Sequence, residues 1–480
     1  MIYGYQLNHV SQKLLHRKRE RMKSNYTLAG FETLNSIVDN FVKNTKERYT
    51  DNFTREDISR FFTDTTHGFL HSFGQNFTGK KSYKNYVKSE VEIFNKCRRS
   101  KLFEGSEFVA DSGGFQASIG KLKKNETQNL VKLYDEFLTD QHYCIDKAFV
   151  LDLAPGPGCD LFNNFKDVYD VNLQTYSMAA NLPDDARKKM IYIQHFRTPK
   201  LYEIFDRLLK ENNFFEKFDH FATGGIVASK ASDSAIPCII YVIPLTIILN
   251  EAVKHKRKKV NFHILGGAGF REVLYYEMIQ RHVYEIHGIE LTISYDSSGM
   301  FKALMVGRVL PVFHEKTLYK LDIRTNNLDM RFKGSILNEE IFFMQLNEMA
   351  EKHNFKPLNM TKIYNPDDNT FYEDVKVYVM FYMLEFYSKL QTYMREFADE
   401  NYPLYKSGNY EELNRRICHV TKNLNDGKTT AKQHAKMCSL IPSLSMLTNL
   451  DEDYCKYIVD KSLSSDEFTD LMHKPSMLSF

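Results

Sequence analysis

The chain has 480 residues, 43% hydrophobic and 14% aromatic, with 36 Phe, 29 Tyr, no Trp and a formal net charge of only +3. That composition can bury the core of one large barrel with appendages, or of roughly two to three domains at about 150 residues each. It argues against a membrane protein: the start lacks a signal-peptide apolar core, and the longest aromatic-apolar run, Val375–Leu384, is too short to span a bilayer and contains Lys376. The seven cysteines (97, 144, 159, 238, 418, 438 and 455) form no C-x-x-C pair, so reduced thiols and a cytoplasmic location are expected, in a host cell if the protein is viral.

Residues 1–60 read as a basic helical segment, in which Lys13–Lys23 carries six Lys/Arg, Arg17, Lys18 and Arg19 among them, against one Glu. Lys80, Lys81, Lys84 and Lys88 then interleave with Tyr83 and Tyr86, Lys96, Arg98, Arg99 and Lys101 follow, and Lys256, Arg257 and Lys258 lie in a further cluster, Lys254–Lys259. Any one cluster suits a solvated helix face. Together, with aromatics among them, they suit a phosphate backbone and stacked bases.

The region 61–324 reads as a barrel. The run Phe108–Ala110 stops at Asp111, followed by Ser112-Gly113-Gly114-Phe115-Gln116. A carboxylate at the mouth of a buried strand is costly without a task or a partner; the plain alternative is an N-cap. Apolar, β-rich runs recur at Ala148–Leu153, Met190–Gln194, His220–Ile226, Val260–Leu265 and Leu291–Tyr295. Polar or glycine motifs close them: Asp152, Gln194-His195, Thr223-Gly224-Gly225, Gly266-Gly267-Ala268-Gly269 and Asp296-Ser297-Ser298-Gly299. Helical patterns such as Phe270–His282 lie between them. Parallel β/α units follow, and functional groups at successive strand ends mark the catalytic face of a (β/α)8 TIM barrel; a doubly wound open sheet is the second choice. Gly68–Phe73 is a candidate early strand and Ala303–Phe313 a candidate late one. The region 325–480 reads as a helical domain, with a long helix over Phe371–Glu400.

In order and spacing, DSGGFQ, a strand ending in Asp152, Gln194, Thr223-Gly224-Gly225, the Leu265–Gly269 turn and Asp296 resemble the tRNA-guanine transglycosylase family over about residues 105–300. The hexapeptide is the specific piece; the others gain weight from their order. The resemblance implies a barrel enzyme that exchanges guanine in a polynucleotide for a 7-deazaguanine base. It implies that Asp296 is the nucleophile and Asp111 the general acid/base. Asp152 would accept from the guanine N1–H and 2-amino edge, and Gln194 and Gly225, with Gly224, would address O6. Ser112, Gln116, Gly266 and Gly267 would shape the pocket.

Three departures point to a divergent branch. The family's zinc ligands, a C-x-C-x-x-C motif after the nucleophile, are absent, since no cysteine lies between 239 and 417. Ser297–Lys302 does not match the family's RNA-contacting loop. Lys230 replaces a glutamate that senses an aminomethyl substituent, which favours the neutral 7-cyano-7-deazaguanine. The chain is most similar to the viral and bacterial relatives that modify DNA against restriction enzymes. The expected partners are therefore DNA and the free base, with no membrane, no cofactor and no metal. The alternatives are a zinc-free tRNA enzyme and a non-catalytic nucleic-acid-binding subunit. Asn425–Thr430 lacks the upstream glycine of a phosphate loop, and Cys418, His419, His434 and Cys438 lack the usual zinc spacing. His195 reads as a hydrogen-bonded histidine at a strand end.

Overall fold

The computed structural model describes residues 26–29, 54–65, 67–74, 77, 83–100, 103, 105–156, 159–195, 198–224, 237–267, 270–297, 309–314, 317–323, 330–331, 339–357, 369–423 and 439–462. Eight strands close a parallel barrel in sequential order: β1 (Tyr26–Ala29), β2 (Gly68–Ser72), β3 (Glu107–Asp111), β4 (Lys147–Phe149), β5 (Met190–His195), β6 (His220–Gly224), β7 (Lys259–Ile264) and β8 (Glu290–Ser297). The closing pair is β1 with β8, where Thr27 lies opposite Asp296. Helices cross over between them: α1 (Arg55–Thr65), α2 (Tyr83–Ser100), α3 (Gly114–Ser118), α4 (Lys124–Asp140), α5 (Phe165–Ala180), α6 (Pro199–Glu211), α7 (Pro237–Lys254) and α8 (Phe270–His287).

Local chemistry fixes several of these boundaries. Asn164 accepts from the Asp167 amide at 3.0 Å to start α5. Thr198 caps α6 from the Leu201 amide at 3.2 Å, with Pro199 at the first helical position, where its missing N–H costs nothing. From Tyr241 to Leu249 every residue of α7 is buried, as befits a helix that is apolar all round and covered on both sides.

Strand alternation separates two apolar layers. Ala29, Leu70, Val109, Phe149, Ile191, Ile193 and Ala222 fill the barrel interior. Their neighbours, such as Phe69, Phe108, Ala148, Tyr192 and Phe221, join the much larger layer between barrel and helices. This period of two decides which polar residues at the strand ends face the mouth.

Two boundaries are corrected. The first barrel strand, Tyr26–Ala29, lies inside the segment expected to be a basic helical arm, so the barrel begins well before residue 61. The late strand expected from Ala303–Phe313 is not in the barrel. Val309–His314 (β9) pairs antiparallel with Thr317–Ile323 (β10), which pairs with Met330–Arg331 (β11), in a separate three-stranded sheet.

Helices α9 (Glu339–Lys352), α10 (Asn369–Lys406), α11 (Tyr410–Asn423), α12 (Leu440–Asn449) and α13 (Glu452–Ser462) follow. They share one continuous apolar core with the barrel helices rather than building their own. Polar contacts lock the seam: Gln391 of α10 donates to Glu277 of α8 at 2.9 Å, and His282 of α8 meets Tyr402 and Thr448, each at 3.0 Å. Tyr387 of α10 stacks on Tyr26 of β1, with ring centroids 4.1 Å apart. No helix among the described residues is long and apolar enough to cross a membrane.

Candidate active site

The carboxyl ends of the strands gather Ser72, Asp111, Asp152, His195, Gly224, Gly266 and Asp296 around one mouth. Asp111 ends β3 on the inward parity of Val109. Its carboxyl is pushed up to about 6, first by burial, while the Ser72 hydroxyl and the Gly113 amide pull it down and the charges of Asp152 and Asp296 push it further up. Asp111, Asp152 and Asp296 are thus near enough to feel one another.

The two glycines of the hexapeptide have separate reasons. Gly113 has φ +83°, and a Cβ there would stand 2.4 Å from the Gly74 Cα. A Cβ on Gly114 would stand 2.0 Å from the Asp152 carbonyl oxygen. The loops after β2, β3 and β4 therefore touch backbone to backbone, which is what brings Asp111 and Asp152 together. Ser112 is buried; its hydroxyl lies 3.5 Å from Asp152 Oδ1 and accepts from the Gly114 amide at 3.3 Å. The segment after Asp152 is held by Asn172 of α5, which accepts from the Leu153 amide at 2.9 Å and donates to the Leu153 carbonyl at 2.7 Å. Gln116 has a buried Oε1 without a partner among the described residues, and Phe115 is 45% exposed beside it.

At β5 the two polar residues of the strand end, Gln194 and His195, take opposite parities. Gln194 shares the parity of Met190 and Tyr192, toward the helices; it is fully buried, with neither amide atom partnered among the described residues. His195 has the inward parity of Ile191 and Ile193, and its Nε2 meets Asp152 Oδ2. Gly224, opposite His195 in the register, leaves room for that ring: a Cβ there would come within 3.1 Å of His195 Cε1.

Asp296 lies on β8, 8% exposed. Gly266, at φ +74°, turns its amide onto Asp296 Oδ1 at 2.8 Å. His263 of β7, which sequence reasoning missed, brings Nε2 to the same oxygen at 3.2 Å and Nδ1 to Ser294 Oγ at 2.9 Å. The period of two from Leu265 back through His263 is the signal that would have found it. Gly267 closes the turn: its carbonyl accepts from the Tyr276 hydroxyl at 2.7 Å, and a Cβ would stand 2.4 Å from Ile264 Cγ2.

The other expected site residues fall elsewhere. Lys256, Arg257 and Lys258 precede β7, at the amino end of the barrel, away from the mouth. Arg257 is occupied structurally: it donates to the carbonyls of Phe218 at 2.9 Å and Phe215 at 3.0 Å and lies over the Phe215 ring. Arg98 is likewise tied down, to the Cys144 carbonyl and Asp146. Gly225, Lys230, Arg17, Lys18, Arg19, Lys80, Lys81, Ala268, Gly269, Ser298, Gly299, Asn425–Thr430, His434 and Cys438 lie outside the described residues. Among the described residues no group of His, Cys, Asp and Glu is arranged to hold a metal ion.

The mouth thus presents three carboxylates: Asp152 and Asp296, each in contact with a histidine, and Asp111, whose carboxyl is pushed up to about 6. That equipment suits acid/base chemistry next to a carboxylate nucleophile. No protein-family model matches the chain, and the comparison with curated proteins finds no match.

Proposed function

We propose that this protein is a transglycosylase that exchanges guanine in DNA for a 7-deazaguanine base, with 7-cyano-7-deazaguanine the favoured one. The observation that carries the reading is the meeting of Asp111, Asp152 and Asp296 at one barrel mouth, with the Asp111 carboxyl pushed up to about 6. A group that must first give and then take a proton works best with its pKa near the working pH. The proposed nucleophile, Asp296, accepts the Gly266 N–H at 2.8 Å, which fixes one of its oxygens.

In the proposed reaction an Asp296 carboxylate oxygen bonds to C1′ of the target nucleotide as the C1′–N9 bond breaks. The electron pair of that bond stays with the departing guanine, which takes the proton of Asp111. Asp111, now ionised, removes the N9 proton of the incoming base. N9 attacks C1′, and Asp296 leaves as a carboxylate. Two inversions give net retention. Asp152 Oδ1 offers an acceptor to the N1–H and 2-amino edge of guanine, with Oδ2 held by His195. The preference for DNA over tRNA rests on the missing cysteine motif and the altered segment after Asp296.

Guanine in a duplex is stacked, so the target must be flipped or taken from a melted strand, at a few kcal/mol. The test is exchange of labelled guanine into DNA and, separately, into a tRNA pool, with nucleoside mass spectrometry after 7-cyano-7-deazaguanine is supplied. Exchange on DNA that disappears in Asp296→Asn supports the reading. Exchange on tRNA alone replaces it with the tRNA enzyme, and binding without exchange on either replaces it with a non-catalytic subunit.

A further inference from the structure

We propose that His263, set by Ser294, acts with the Gly266 amide to hold one oxygen of Asp296, so that Oδ2 is the attacking atom and Asp296 is a good leaving group in the second half of the reaction. This rests on the transglycosylase reading above and names a positioning residue for it.

The geometry is specific. His263 and Ser294 lie opposite each other in the β7–β8 register, and Asp296 follows Ser294 by two, on the same inward face. The imidazole is held at three points: Nδ1 at Ser294 Oγ (2.9 Å), Nε2 at Asp296 Oδ1 (3.2 Å), and its plane inclined at 63° to the Phe149 ring at a centroid separation of 5.2 Å. A carboxylate acceptor requires the proton on Nε2, which makes Nδ1 of the neutral ring the acceptor of the Ser294 hydroxyl. The Gly266 amide reaches the same Oδ1 at 2.8 Å. Both donors therefore converge on Oδ1, and among the described residues none addresses Oδ2.

An oxygen whose lone pairs are engaged by two N–H groups is the poorer nucleophile, so Oδ2 forms the bond to C1′ while the C1′–N9 pair departs with the base. Oδ1 becomes the carbonyl oxygen of the glycosyl ester and loses most of its charge. Hydrogen bonds to a charged oxygen are about twice as strong as those to a neutral one. The two donors therefore stabilise the free carboxylate more than the ester. They disfavour accumulation of the covalent intermediate and help to expel Asp296 when the incoming base attacks.

The consequence is an equilibrium effect, which separates it from a structural role. With saturating DNA, free guanine reverses the covalent adduct, and the guanine concentration that reverses half of it reports the balance between ester and carboxylate. Denaturing-gel measurement of the adduct should show this concentration raised about three- to tenfold in His263→Ala, the difference expected between one hydrogen bond to a charged oxygen and one to a neutral oxygen. His263→Gln, which keeps a donor, should fall between. Ser294→Ala should shift it in the same direction by less, and this variant carries the test if His263→Ala does not fold by circular dichroism. An unchanged half-reversal concentration in the folded variants, even with slower exchange, overturns the inference and leaves the transglycosylase reading standing. A wild-type protein that forms no adduct on DNA or RNA overturns that reading instead.

Discussion

His195 and Asp152 meet Nε2 to Oδ2 across the mouth of the barrel, so one Asp152 oxygen is fixed and the other is offered beside Ser112. A carboxylate held by a neighbouring ring keeps a single orientation toward a flat base. Asp152→Asn and His195→Ala should therefore reduce discrimination between guanine and hypoxanthine, which lacks the 2-amino group, by at least about tenfold. Competition between the two bases in an exchange assay measures it, and unchanged discrimination in both variants would remove this pair from base recognition.

Asp111 should leave two marks on pH behaviour. The exchange rate should show an apparent pKa near 6, absent in Asp111→Asn, whose turnover should fall by about 10²–10⁴-fold. The second mark is on stability. The folded protein holds this carboxyl at about 6 against an ordinary 3.8, so between those values it binds more protons than the unfolded chain. Stability at this site is then lost as pH rises through that window and is fully present below it. Asp111→Asn should accordingly melt higher than wild type at pH 7.5, by on the order of 2 kcal/mol, and the gap should close below about pH 4. Melting curves at the two pH values decide it.

The glycine contacts should be intolerant of a single methyl. Gly114→Ala drives a Cβ into the Asp152 carbonyl, and Gly113→Ala meets both the Gly74 backbone and an unfavourable φ. Each should cost about 1–3 kcal/mol of stability, and Gly113→Ala the more. Base exchange should fall with it because the loop bearing Asp152 must move. Gly408→Ala is the control: its φ of +75° strains any side chain, but nothing lies within 4 Å of the new methyl, so it should cost stability without touching exchange per folded molecule.

The cluster at Lys256–Lys258 should not grip DNA engaged at the mouth. Lys256→Gln with Lys258→Gln should leave the slope of log affinity against log salt unchanged, whereas each lysine that touched a phosphate would lower it by about 0.9. Arg257→Ala should instead destabilise by about 1–3 kcal/mol, because it strands the Phe215 and Phe218 carbonyls. A flattened salt slope in the lysine variant would show that nucleic acid wraps to the amino end of the barrel.

Strands β3 to β8 were legible because each is an apolar run closed by a polar or glycine motif. Strand β1 has only four residues, Tyr26–Ala29, followed in the sequence by the single glycine Gly30, and the basic stretch before it dominates the local composition. At β5 the run read to Gln194 extends one residue further, to His195, whose contact with Asp152 no local pattern announces. His263 carried one signal, alternation back from Leu265, but a histidine inside an apolar strand shows no partner in the sequence; its register opposite Ser294 gives it a role. Asn172 was invisible for the same reason, being a lone helix amide whose partner is a loop backbone.

The stacking of Tyr26 on Tyr387 ties the first barrel strand to a helix made much later in the chain. During synthesis β1 emerges first, yet its neighbour β8 and the helix that covers it are among the later parts to leave the ribosome. Contacts between distant parts of a chain are slow to form, and a nascent barrel with one open seam exposes unpaired strand edges. The carboxylate at Asp296 sits on that seam, opposite Thr27. A chain released before α10 would therefore lack the surface that clamps β1 against it. Incomplete products would leave Asp296 on an open seam and would go to chaperones or proteases.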